Sequence, residues 1–336
     1  MKPDLLALLR CPFTAQPLQL ADAELARGRV ESGQLVTPDG ARRYPIVSFI
    51  PRFVPGSNYA ENFGFQWNRF RRTQLDSHSG QPISHDRFYR FTGWQPDELR
   101  GRWVLDVGCG AGRFTEIALA AGAHVVALDF SGAVDACWAN HAHHPLLDVV
   151  QADIYRLPFQ PGQFDYVYCL GVLQHTPDVQ AAVEALPPQL GPGGRLAVDV
   201  YPKLAVNPLL PRYLLRPVTT RMEPGTLFRA IERAVPVLLP LSRTLGRIPG
   251  VGRQLRHLVP VANYDGIFTL SREQQREWSV LDTFDWFGPR YDQPQSATDL
   301  RAWLEASGLD EVWVERLGFL VGRGRRPVVR QAPAHA

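Results

Sequence analysis

An α/β fold is what this chain of 336 residues predicts: a Rossmann-like, doubly wound sheet of seven strands, with a small β-rich N-terminal module and a helical insertion after strand five. Three observations carry that expectation. Between residues 101 and 201, short β-branched and apolar runs alternate with stretches of helical period, the pattern of parallel strands joined by helical crossovers. A glycine-rich turn, Val104-Leu-Asp-Val-Gly-Cys-Gly-Ala-Gly-Arg113, falls between the first of those strands and its helix, at the edge where such sheets hold ligands. Near the C-terminus, a helical stretch at 296–307 precedes two short strands, 311–315 and 319–322, parted by Gly318, which bring the strands to seven.

Residues 1–56 are punctuated by Pro and Gly around short apolar runs and read as the β-rich module. Residues 57–100 are aromatic and basic, running from Tyr59, Phe63, Phe65, Trp67 and Phe70 to Trp94, and read as connecting helices or a lid. The main domain takes residues 101–202 and 263–325. Its strands are expected at about 102–107, 124–128, 147–151, 164–170 and 195–200, with helices near 112–121, 131–140 and 178–187. Residues 203–262 are the insertion, read as a basic helical cap, and 326–336 is a tail expected to fray.

The hydrophobic fraction of 45% and charged fraction of 21% are those of an ordinary globular protein, with enough apolar material for a core that needs no metal or disulfide. Cys11, Cys109, Cys137 and Cys169 show neither metal-ligand nor disulfide-framework spacing, which suits a reducing compartment. There is no signal-peptide pattern and no long uncharged apolar run, so a cytoplasmic protein is expected. The net charge of +3 is mild but uneven. Residues 203–262 hold Lys203 and nine Arg against Glu223 and Glu232, or +8, which leaves about −5 for the remainder.

The chemistry starts at the glycine turn. Its spacing, Gly108-x-Gly110-x-Gly112, departs from the Gly-x-Gly-x-x-Gly of dinucleotide sites. Asp106, at the end of the strand feeding the turn, would repel a pyrophosphate and suits the ammonium of an amino-acid ligand. Asp129 closes the second strand, where a carboxylate accepts hydrogen bonds from ribose hydroxyls. The implied ligand is a nucleoside joined to an amino acid without phosphates, which describes S-adenosylmethionine. Asp153 and Ile154 follow the third strand, suited to the adenine amine and ring. Phe164-Asp-Tyr-Val-Tyr-Cys-Leu-Gly-Val-Leu-Gln-His175 leads from the fourth strand to the expected site mouth.

With those motifs in that order, residues 101–201 resemble the class I S-adenosylmethionine-dependent methyltransferases of small-molecule type. The resemblance implies cofactor contacts from Asp106, Gly108, Gly110, Asp129, Asp153 and Ile154, with Leu170 at the end of the fourth strand counted beside them. Residues 1–55 resemble the zinc-ribbon-like module that precedes many bacterial methyltransferases, carried by Leu9-Arg-Cys-Pro12 and Arg43-Tyr-Pro-Ile-Val-Ser-Phe-Ile-Pro-Arg52. The ribbon is degenerate: Thr14 stands where a partner cysteine belongs, and one thiol cannot close a tetrahedral site, so no metal is expected.

His175 is the candidate catalytic residue, because an imidazole can take a proton from a hydroxyl or amine during in-line methyl transfer; a packing role is the alternative. Tyr59, Phe65 and Trp67 are candidate lid residues. Asp285, Trp286, Pro289, Arg290 and Tyr291 are candidates for the acceptor wall. The expected acceptor is a small molecule, a metabolite or natural product. Two other readings stay open: a membrane-associated enzyme acting on a lipid or lipid-linked glycan, in peripheral contact through 203–262, and an inactive cofactor-binding scaffold. Nucleic acid is not an expected partner, since Leu170-Gly-Val-Leu replaces the Asn/Asp-Pro-Pro-aromatic signature of base-amine methylation.

Overall fold

The computed structural model describes residues 1–55, 58–205 and 209–328; residues 329–336 of the expected tail lie outside that description. Helix α1 (Leu5–Leu8) is followed by strands β1 (Gln19–Ala26), β2 (Arg29–Val36), β3 (Arg43–Val47) and β4 (Ile50–Pro51), which pair antiparallel in chain order. The β1–β2 turn is Arg27-Gly28, both at positive φ (52° and 73°), the twist that a two-residue hairpin requires.

The module shares its core with the main sheet. Leu5, Leu9, Leu35 and Ile46 pack into one cluster with Leu105, Val126 and Val150. Past β4 the chain joins the main sheet's edge: the Phe53 N–H donates to the Gln151 carbonyl at 2.8 Å, and the Arg52 guanidinium donates to the Gln151 side chain and to Asp135 at 2.9 and 2.6 Å. Because Leu9 is fully buried in this common cluster, Leu9→Ala should cost about 2–5 kcal/mol. A single, lowered thermal transition for the whole chain is the expected result, against a separate early melt if the module folds by itself.

Helices α2 (Glu61–Arg69), α3 (Asp76–Ser79), α4 (Ile83–Thr92) and α5 (Pro96–Leu99) connect to the main sheet. Its strands are β5 (Trp103–Val107), β6 (His124–Asp129), β7 (Leu147–Gln151), β8 (Phe164–Cys169), β9 (Leu190–Val200), β10 (Asp310–Leu317) and β11 (Phe319–Arg325), in the order β10-β11-β9-β8-β5-β6-β7. Strands β5 to β9 run parallel, and β11 lies antiparallel between β9 and β10. This is the seven-stranded architecture that the sequence predicts. The β9 strand begins at Leu190, earlier than the expected 195. The Gly191–Gly194 stretch is drawn into it by pairing with the chain end, through Gly193 N–H to the Arg326 carbonyl (3.0 Å) and Arg326 N–H to the Gly194 carbonyl (2.8 Å).

Helices α6 (Arg113–Ala120) and α7 (Ala133–His141) follow β5 and β6, and α8 (Val179–Glu184) follows β8. The strand order reverses between β5 and β8, which opens a crevice at their C-terminal ends. After β9 the chain forms α9 (Pro211–Thr219), α10 (Pro224–Gly246) and α11 (Gly252–Leu255), then α12 (Arg272–Phe287) and α13 (Ala297–Ala306). Glu223 caps α10, accepting from the Gly225 and Thr226 amides, and Ser271 and Gln274 form a capping box on α12. Leu227, Phe228, Ile231 and Val235 of α10 bury against Val280, Phe284 and Phe287 of α12, so α12 shares a third core with the cap.

Candidate cofactor and acceptor site

One cavity of about 1060 Å³ occupies the crevice and runs on beneath the cap. Its floor is the glycine turn. Gly108, Gly110 and Gly112 hold φ of 81°, 53° and 89°, which L side chains rarely adopt. A Cβ on Gly108 would collide with Val172, and one on Gly112 with the His141 ring, so the turn can be built only from glycine at those positions.

Asp129 stands on the cavity wall at the end of β6. One carboxylate oxygen accepts from the Gly110 N–H at 2.9 Å; the other accepts from the Ser131 N–H (2.8 Å) and hydroxyl (2.7 Å). A carboxylate has about four acceptor sites, so capacity remains for a ligand hydroxyl. Burial pushes the Asp129 carboxyl up, while these donors hold it down. Gly108, Gly110, Ile154 and Leu170 also line the cavity, the last two buried and apolar. Asp106 and Asp153 lie one layer behind the wall. Asp106 is 2% exposed and accepts from the Thr115 hydroxyl at 2.5 Å; Asp153 caps the short turn 154–156 by accepting from the Tyr155 N–H at 3.0 Å.

Burial pushes the Asp106 carboxyl up to about 7, with the Thr115 and Tyr168 hydroxyls pulling the other way. In the unfolded chain an Asp titrates near ~3.9, so the native state holds a proton that unfolding releases between those two values. The stability contributed by the neutral acid is fully present below ~4 and is lost as pH rises through about 7. Asp106→Asn, which stays neutral, should therefore raise the melting temperature of the ligand-free protein at pH ~8 by roughly 5 °C more than at pH ~5, where only the first part of the loss has occurred. Melts at the two pH values check this, and an equal shift at both would refute it.

The far half of the cavity is polar-aromatic. His175, 6% exposed, follows β8, its ring packed at 5.2 Å from Phe63 and 5.7 Å from Tyr201. Its Nδ1 lies 3.0 Å from the Tyr291 carbonyl, and its Nε2 3.8 Å from Asp285 Oδ2. A carbonyl can only accept, so Nδ1 carries a proton, and in the neutral ring Nε2 is the nitrogen with the lone pair. The Tyr201 hydroxyl donates to the same Asp285 oxygen at 3.4 Å. Burial raises the Asp285 carboxyl, and His175 opposes that rise. The Gln66 amide, 1% exposed and on the cavity wall, has no hydrogen-bond partner of good geometry on either atom.

Deeper in, Arg113 donates to Ser84 (2.8 Å) and to Gln74 Oε1 (2.9 Å), and Gln74 donates in turn to Asp282 (3.1 Å), which also accepts from the Tyr264 hydroxyl. Burial brings the Arg113 guanidinium down to about 10 and Asp282 up to about 6.

Above the turn, α2 acts as a strap. Asn58 donates to the Phe130 carbonyl at 3.1 Å, Asn68 to the Gly132 carbonyl at 2.9 Å, and Asn62 to the Gly288 carbonyl. Tyr59 and Trp67 reach the cavity, with the Trp67 ring against Gly110. Phe65 does not; it packs between Phe228 and Phe284 in the cap's core. Asp285 and Trp286 line the cavity, whereas Tyr291 contributes its carbonyl to His175 and its ring to Tyr59. Sequence reasoning missed Gln66, Arg87, Arg113, Tyr201 and Asp282. Tyr201 carried a usable signal, being the first residue past the C-terminal end of the fifth strand, and Arg113 closes the glycine-turn motif itself; Gln66, Arg87 and Asp282 have no motif around them.

Comparison with known proteins agrees with this geometry. Residues 105–198 match the methyltransferase domain family, and residues 2–47 match the Trm112p-like protein family. The ubiquinone biosynthesis O-methyltransferase of Xylella fastidiosa is 39% identical across 30% of this chain and 42% of its own. An uncharacterized protein of Synechococcus sp. is 29% identical across 65% of this chain and 49% of its own. The chain thus spans just under half the length of these curated relatives. Among solved structures, the magnesium protoporphyrin IX methyltransferase of Synechocystis PCC 6803 with bound SAH aligns at 17% identity and a TM-score of 0.41, over 80% of this chain and 96% of its own.

The fold, the glycine turn and the matched domain define a class I S-adenosylmethionine-dependent methyltransferase domain. The module in front of it, within the same chain, is Trm112p-like. Cys11 of that module is buried, its Sγ 3.1 Å from the Tyr44 hydroxyl. S-adenosylmethionine fits the cavity: backbone of the glycine turn lines it, Asp129 retains acceptor capacity, and Ile154 and Leu170 are apolar on its wall.

Proposed function

We propose that this protein transfers a methyl group from S-adenosylmethionine to a hydroxyl of a small, largely apolar acceptor. The observation that carries this reading is the continuity of the cavity, which joins the Gly108–Gly112 turn and Asp129 at one end to His175, Asp285 and the cap's Arg212 at the other. Pockets for a single drug-sized ligand run to about 300–1,000 Å³, so a cavity of about 1060 Å³ leaves room for a second molecule beside the cofactor. Methyl transfer needs two molecules held in line, and a shared cavity can supply that alignment.

When bound, S-adenosylmethionine supplies an electrophilic methyl group on a sulfonium. The chain's own residues do the rest. Asp129 would accept from a ribose hydroxyl, with Gly108 and Gly110 lining the cavity beside it. Asp106 and Asp153 support the wall from behind. His175 Nε2 takes the acceptor's proton while Nδ1 stays bonded to Tyr291, and Asp285 stabilises the imidazolium. Phe91, Trp278 and Trp286 give the acceptor end an aromatic lining, with Arg113 and the Asp199-paired Arg87 beside it. The relative named as a ubiquinone biosynthesis O-methyltransferase supports oxygen as the methylated atom.

The test is incubation of the full chain with S-adenosylmethionine labelled in its methyl group and a bacterial metabolite extract. Label is expected in a small organic-extractable product. Tight cofactor binding without any labelled product would favour the scaffold reading.

A further inference from the structure

Helix α9 is turned inside out for a soluble protein. Its charged side faces the molecule: Arg216 donates to the Trp286 and Pro289 carbonyls at 2.8 Å each, Arg212 lies over the Trp286 ring, and the Thr219 hydroxyl donates to the Phe287 carbonyl at 3.1 Å. Residues 212, 216 and 219 recur at helical spacing, so the opposite face is formed by Leu214, Leu215 and Val218. That face points to solvent, with Leu214 64% and Val218 67% exposed, and no residue of α9 is buried. A surface helix ordinarily presents the reverse arrangement.

The surroundings extend the pattern. Of the fourteen large apolar side chains exposed among the described residues, nine fall within 203–262, the segment with a net charge of +8. On α10 the outward stripe passes from Arg229 and Arg233 to Val237 and Leu241, with Arg247 and Ile248 just beyond its end. No described helix is long and apolar enough to cross a membrane.

We propose that α9, with the basic surface of the cap around it, is a docking surface for an anionic lipid bilayer. Leucine and valine side chains would enter the acyl boundary while the cap's arginines meet lipid phosphates, the two attractions that hold an interfacial helix in place. A second copy of this chain fits less well, because a two-fold interface would set the exposed arginines of the cap, Arg221, Arg229, Arg233 and Arg247, against their own copies. A protein partner fits less well too, since the exposed apolar residues are spread from Leu209 to Leu258 over several elements, whereas a protein interface gathers them into one apolar centre with a polar rim. Arg212 and Ile267 line the cavity, so docking would set the cavity's cap wall against the bilayer. This inference concerns where the protein sits and stands whether or not methyl transfer to a hydroxyl is correct.

The experiment is flotation of the full chain with phosphatidylcholine vesicles and with vesicles containing about half phosphatidylglycerol. The protein is expected to float with the anionic vesicles only, and ~1 M salt should reduce binding by at least ~10-fold. The double variant Leu214→Asp/Val218→Asp should also lose at least ~10-fold, while Leu214→Phe/Val218→Leu keeps binding. Both sites are exposed, so circular dichroism melts should match the parent protein. The proposal is overturned if the chain stays unbound with anionic vesicles, binds neutral ones equally, or binds undiminished as the aspartate variant. Light scattering that shows a dimer abolished by the same variant, without vesicle binding, would assign the face to a second copy instead.

Discussion

Asp129→Ala is expected to weaken S-adenosylmethionine binding by about 100-fold or more, which isothermal calorimetry would measure directly. The estimate follows from what the carboxylate does. Hydrogen bonds to a charged group contribute about 1.5–3 kcal/mol each, and the acceptor site that the three protein donors leave free can take one ribose hydroxyl. The substitution also releases the Gly110 N–H and the Ser131 hydroxyl and N–H, the groups that clamp the glycine turn to the end of β6. Asp129→Asn separates these contributions, since its one carbonyl oxygen offers two acceptor sites where the carboxylate offers about four; an intermediate loss is expected. The ligand-free protein should melt only slightly lower in either case, because the buried carboxylate already carries a desolvation cost that raises its pKa. An unchanged dissociation constant in Asp129→Ala would remove this residue from the cofactor site, and with it the ribose reading of the acidic strand end.

The cofactor end was legible in the sequence because its chemistry is written in consecutive residues. A turn needing positive φ at three alternate positions can be met only by Gly108-x-Gly110-x-Gly112, and the strands beside it are buried on both faces and so read as continuous apolar runs. What lay one layer deep was less visible. Asp106 and Asp129 look alike as strand-end carboxylates, yet β5 ends inside the sheet with Thr115 above it, and β6 ends at the crevice. Period alone does not state which strand end is covered by the following helix. The acceptor end is assembled from distant segments: Gln66 on α2, His175 after β8, Tyr201 after β9 and Asp285 on α12. No local spacing relates such residues. The direction of α9 was hidden for a different reason, since a helix with one charged and one apolar face reads the same whichever face the fold turns inward.

His175→Ala should lower kcat for methyl transfer by about 10²- to 10⁴-fold, the range for loss of a general base, with little change in cofactor affinity. The imidazole is placed for that task and little else. Its Nδ1 proton is committed to the Tyr291 carbonyl, the rings of Phe63 and Tyr201 hold its plane, and in the neutral ring Nε2 is the nitrogen free to take a proton. Asp285, 3.8 Å from Nε2, cannot remove the acceptor's proton more easily than the imidazole does, but it favours the cation that forms. Asp285→Asn should therefore cost less, about 10-fold, and mostly in kcat. A packing role for His175 would also lower activity if its loss let the wall collapse, so the pH profile is the deciding measurement. An acceptor hydroxyl that has ionised by itself no longer needs a base. The deficit of His175→Ala should consequently shrink as pH rises past the acceptor's own ionisation, while a deficit caused by lost packing would stay constant. A constant deficit, or normal turnover in His175→Ala, would leave the imidazole outside the proton transfer and shift that step to Asp285 or to solvent.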